Sequence, residues 1–115
     1  MQQLVVSQSE ARLRRTIRPF FQKLKPERVQ EELRTMPGWI MLPNGKAIQR
    51  TYQLSSDRAA AHFATYLSAH AGDMGQPAHL NLAGRTLTVK LFAPPQRGRQ
   101  PALDMGVIAF ARHLN

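Results

Sequence analysis

The stretch GDMGQPAHLNLAG, residues 72–84, holds the side chains best suited to handling a proton or a polar ligand. His79 carries an imidazole, which gives and takes a proton near pH 7, whereas Gln76 can hydrogen-bond but not titrate. The other candidates are less well placed. His62 and His70 lie about 80° apart around a helix of ~3.6 residues per turn, so they would not chelate one metal ion, and no metal site is expected. Ser55, Ser56 and Asp57 have no partnered base, which makes helix capping their expected work rather than nucleophilic attack. GRTLTV, residues 84–89, lacks the glycine spacing and following helix of a phosphate loop. Cysteine is absent, which excludes disulfides, thiolate metal sites and thiol nucleophiles.

These residues need elements to hold them. Pro26 at a first helical position, Glu27 in the first turn, and Val29, Leu33 and Met36 on one face predict a helix that ends at Pro37-Gly38. Residues 39–42 and 47–54 predict two strands joined by a turn at PNGK, residues 43–46. In the second of them Ile48, Tyr52 and Leu54 share a face, with Arg50 an exception among them. Ser55 or Ser56 is expected to cap the main helix, Asp57 to favour its positive end and Gly72 to close it. Its expected buried stripe is Ala59, Ala60, Phe63, Tyr66 and Leu67. A short strand around residues 80–82, a turn at Ala83-Gly84 and a strand over 86–92 follow, with Leu87, Val89 and Leu91 inward and Thr88 and Lys90 outward. Parity puts His79 opposite Leu80, facing solvent. APPQRGRQP reads as a loop, and Leu103, Val107, Phe110 and Leu114 stripe a final helix. The order is α-β-β-α-β-β-α. It predicts an α+β fold, one four-stranded antiparallel sheet with three helices on one face.

The chain has 115 residues and suits one domain. Its hydrophobic content is 43%, typical of a folded chain. We divide it into a basic N-terminal arm, residues 1–25, and a domain over 26–115. The net charge of +9 draws nucleic acid, anionic lipid or an acidic protein surface without choosing among them. Much of it sits in the arm, at Arg12, Arg14, Arg15 and Arg18, and a second short basic run holds Arg97 and Arg99. These six arginines are the candidate partner-binding residues. No apolar run approaches the roughly 20 residues of a membrane span, and the first residues do not read as a secretory signal, so a cytoplasmic protein is expected.

The strand that opens at Gly38-Trp39, the AIQRTYQL strand over 47–54 and the Phe63 helix together resemble the pterin-4a-carbinolamine dehydratase family. The pattern lies down without a gap from Gly38 to Leu91, and the likeness covers roughly residues 26–114. That family dehydrates a 4a-hydroxytetrahydropterin by protonating a hydroxyl and removing a ring-nitrogen proton. The resemblance puts its adjacent histidine pair at Gln76 and Pro77, or at Gly75 and Gln76 if the prolines are matched. The family's strand histidine falls on Thr88, its acidic residue at the helix end on Gly72, and a rim glutamate on His79. Gly72, Gln76, Pro77, His79 and Thr88 therefore make a vestigial pocket with no catalytic residue expected and no cofactor implied.

Three function classes follow. The first is a non-catalytic assembly protein, a homodimer. The lost histidines and basic character resemble the pterin dehydratase-like Rubisco assembly factors of alpha-carboxysome bacteria, which implies the Rubisco large subunit as partner and carboxysome association. The second is a working dehydratase using His79 and Gln76. The third is a nucleic-acid binder driven by the basic arm, although aromatics do not interleave with its charges and no base-reading motif is present.

Overall fold

The computed structural model describes residues 23–93 and 102–114. Its elements are α1 (Pro26–Leu33), β1 (Ile40–Met41), β2 (Ala47–Gln53), α2 (Asp57–Met74), β3 (Ala78–Ala83), β4 (Thr86–Phe92) and α3 (Met105–His113). The strands form one antiparallel sheet in the order β1-β2-β4-β3, which is the α+β fold expected from the sequence. Period-two alternation decides which face is covered. Ile48, Leu87, Val89 and Leu91 are each at most 1% exposed and pack with Val29, Leu67, Val107 and Ile108 from the helices. Burying side chains of this size stabilises by roughly 1.5–3 kcal/mol each. The helices share that face, and the alternate residues Gln49, Thr51, Thr88, Lys90 and His79 lie on the other.

Local signals fix the ends of these elements. Ser56 caps α2, its Oγ accepting from the Ala59 N–H at 3.0 Å. Asp104 does the same for α3, accepting from Val107 N–H at 3.0 Å, and is itself 1% exposed. Gly45 takes a positive φ of 70° in the first hairpin, and its N–H bonds Leu42 O at 2.8 Å.

Four expectations need correcting. Gly72 does not close the main helix. α2 runs on to Met74, and Gly75, at φ 65°, supplies the left-handed cap. The later glycine wins because the chain must leave where Gln76 can dock: Gln76 N–H bonds Ala71 O at 2.8 Å, completing the cap. Tyr66 is 52% exposed rather than buried, and Ala71 takes the inward position instead. Phe63 is only partly buried, at the margin of the core. α1 ends at Leu33, before Pro37-Gly38, and Met36 reaches the core from the turn that follows. Lys23 pairs with Asp104 in an isolated antiparallel backbone bridge, and Leu24 N–H bonds Leu103 O at 2.8 Å.

Candidate functional site

The turn between α2 and β3 is a structural joint. Gln76, 6% exposed, donates both amide hydrogens to backbone carbonyls, reaching Pro77 O at 2.9 Å and Phe92 O at 2.6 Å. Pro77 O also accepts from Phe92 N–H at 3.2 Å. The side chain therefore ties the helix exit to the end of β4, supplying Phe92 O with the donor that Pro77, lacking an N–H, does not have. An amide suits this task because it offers two donors to two acceptors. Both are committed, and neither can be lost as a proton near neutral pH.

The other pocket candidates do not join it. Gly72 is an exposed residue within α2, just over one turn before Gln76. His79 is exposed on the uncovered face of the sheet, paired in register with Lys90, as parity predicted. Thr88 lies on that same face, between Thr51 and Asn81, with its Oγ1 3.4 Å from Thr51 Oγ1. Phe92 and Thr88 are four residues apart on β4, about 13 Å at ~3.3 Å per residue. Gln76 and Thr88 are thus held at separated places. Buried Gln76 and half-buried Pro77 form one corner, exposed His79 and half-buried Thr88 share the open sheet face, and Gly72 stands apart on the exposed side of α2. Arg12, Arg14, Arg15, Arg18, Arg97 and Arg99 lie outside the described residues.

Two clusters were not foreseen. Arg50, the exception on its strand face, lays its guanidinium over the Tyr52 ring at 4.5 Å from the centroid. It also lies against Gly38, where an added Cβ would stand 2.9 Å from Arg50 Nε. Tyr52 in turn meets Phe63 edge to face at 5.0 Å and Trp39 at 6.5 Å. Burial pushes the Tyr52 phenol above the usual tyrosine value, and the Arg50 charge works against the rise. Arg50 and Tyr52, a cation and an aromatic at alternating positions on β2, were a usable sequence signal. The second cluster is a ring stack between α2 and α3, in which His70 lies against Tyr66, Phe110 and His113 at 5.1–5.7 Å. His70 thus works as a packing ring, and His62 is exposed. Among the described residues no group of three or more His, Asp or Glu is placed to hold a metal ion. No described helix is long and apolar enough to cross a membrane.

Comparison with known proteins agrees with this architecture. A solved structure described as a transcriptional coactivator/pterin dehydratase from Brucella melitensis superposes with a TM-score of 0.67 at 19% identity, covering 81% of this chain and 95% of that one. At that identity the likeness is one of fold. No curated protein matches the sequence. Residues 22–105 match the family model described as pterin 4 alpha carbinolamine dehydratase, well over half of the chain. On that match, the protein belongs to the pterin 4 alpha carbinolamine dehydratase family.

Proposed function

We propose that this protein is a non-catalytic member of its family that serves as a Rubisco assembly factor, with the Rubisco large subunit as its acidic client. The observation that carries the non-catalytic half is the state of Gln76. The resemblance puts a proton-moving imidazole of the family at this turn. Here stands a buried amide whose two donors are spent on Pro77 O and Phe92 O. A general acid or base contributes ~10²–10⁴ in rate, so a turn without one forfeits most of the reaction. His79, the nearest imidazole in sequence, lies on the uncovered sheet face, two residues along β3 from Pro77.

The client rests on resemblance and on charge. A chain of net charge +9 meets an acidic surface quickly at low salt. Lys23 and Asp104 form an isolated backbone bridge, so the described end of the arm lies beside the segment that follows the loop. On this reading the protein acts in the cytoplasm, in association with carboxysomes, as a homodimer. β3 supports a dimer through strand addition: it is an outer strand of the sheet, free of charged side chains apart from the titratable His79, with Leu82 43% exposed. Two copies would present two sets of basic residues to one assembly and raise avidity.

The test is Rubisco assembly in a reconstituted host with and without this protein, beside a variant reversed in charge at Arg12, Arg14 and Arg15. Omission should lower the yield of assembled enzyme, and charge reversal should do the same. An unchanged yield on omission ends the Rubisco assignment. A loss on omission without any effect of charge reversal moves the contact away from the arm. Sedimentation of the protein alone should give twice the monomer mass.

A further inference from the structure

Every Asp and Glu among the described residues lies on a helix or caps one: Glu27, Glu31 and Glu32 on α1, Asp57 and Asp73 on α2, and Asp104 before α3. The four strands carry none. Their two cations point opposite ways, Arg50 lying over Tyr52 on the helix side and Lys90 on the uncovered face. Register sets Lys90 between Gln49 on β2 and His79 on β3. Strands ~4.8 Å apart make this a row about 10 Å wide. Asn81 follows on β3, beside Thr88.

The rows differ in how they are satisfied. Thr51 and Thr88 approach each other at 3.4 Å, and Thr86 Oγ1 donates to Gln53 Oε1 at 3.1 Å. Gln49, Lys90, His79 and Asn81 make no side-chain hydrogen bond or ion pair among the described residues. They form a contiguous group of amide, ammonium and imidazole donors with no carboxylate beside it among the described residues.

We propose that this sheet face, which no described helix covers and which centres on Gln49, Lys90, His79 and Asn81, docks an extended acidic protein segment. Charge complementarity picks the occupant. A carboxylate between Lys90 and His79 meets two donors, and the neighbouring amides can bond the segment's peptide groups. Nucleic acid is a poorer fit. Among the described residues the face offers one lysine to a closely spaced run of phosphates, and Phe92 is its single aromatic ring. A second copy fits worse, since it would bring Lys90 and His79 together with their own duplicates. The proposal builds on the assembly reading only in taking the client to be acidic, and it gives that client a contact separate from the arm.

The experiment is an anisotropy titration of the full chain with a labelled 12-residue peptide that alternates Glu and Thr, which sets all its carboxylates on one side when extended. A peptide with Gln for Glu and a single-stranded oligonucleotide of equal charge serve as comparators. Lys90→Glu and, independently, Asn81→Glu should each weaken binding of the acidic peptide by about fivefold or more, with circular dichroism unchanged. Arg58→Glu makes the same change in net charge as Lys90→Glu, at an exposed position on α2, and should weaken it by less than about twofold. Equal losses for Arg58→Glu and Lys90→Glu would reduce the effect to general charge and overturn the proposal. So would tighter binding of the oligonucleotide than of the peptide, or loss of binding only on reversing Arg12, Arg14 and Arg15. If Rubisco assembly proves independent of the protein while the face still binds the acidic peptide, the client is wrong and the surface stands.

Discussion

Replacing Gln76 tests whether the altered turn is a structural clamp. Gln76→Ala removes two hydrogen bonds, at 2.9 Å to Pro77 O and 2.6 Å to Phe92 O. The two losses are unequal. Pro77 O keeps the Phe92 N–H at 3.2 Å, so its deficit is one ordinary bond, about 1 kcal/mol. Losing the shorter bond to Phe92 O costs about 1–2 kcal/mol more when a buried acceptor loses its donor. The sum, about 2–3 kcal/mol, lowers the melting temperature by on the order of 10–20 °C for a domain of this size. Gln76→Glu sharpens the test, because a carboxylate would face two carbonyl oxygens. Its folded-state pKa must rise above the unfolded value of about 4.3. A group raised in this way contributes its stability below the unfolded pKa and loses it as pH climbs through the folded one. The gap between Gln76→Glu and wild type should therefore be large at pH 7–8 and shrink as the pH is lowered toward 4.3. Urea denaturation at several pH values, with thermal melts, measures both effects. A cost below about 0.5 kcal/mol for Gln76→Ala, or a Gln76→Glu gap that ignores pH, would refute the clamp.

Three further outcomes are expected. Pterin dehydratase turnover should not exceed the spontaneous reaction in a stopped-flow absorbance assay; measurable turnover that His79→Ala abolishes would restore an enzymatic reading. Leu67→Ala should cost about 2–5 kcal/mol by urea denaturation and exceed Phe63→Ala, because Leu67 is 1% exposed whereas Phe63 sits at the core margin. In an alkaline absorbance titration Tyr52 should ionise above the ordinary tyrosine value, since burial raises its pKa. The stability tied to its neutral phenol is complete below the ordinary tyrosine pKa and is lost as pH rises through the shifted one, so Tyr52→Phe should flatten that alkaline loss.

The elements were legible in the sequence because local chemistry specifies them. Alternation of Leu87, Val89 and Leu91 with Thr88 and Lys90 fixed both the extent of β4 and its inward face, and the β4 bounds match at both ends. Ser56 as a cap, Asn44-Gly45 as a turn and Pro26 at a helix start carry their reasons in their own side chains. What the sequence left open was each choice between locally equal options. Gly72 and Gly75 can both end a helix, and only the docking of Gln76 on Phe92 O selects the second. Tyr66 fits an apolar stripe by spacing, yet it is 52% exposed and stacks on His70 instead. Arg50 breaks a strand pattern until Gly38 and Tyr52 are seen on either side of it. The candidate site behaved the same way. Residue types alone showed that Gln76 cannot titrate and that His79 faces away from the core. Their separation, with Gln76 buried in a corner and His79 beside Lys90 on the open face, depended on the register of β3 against β4, which no local signal encodes.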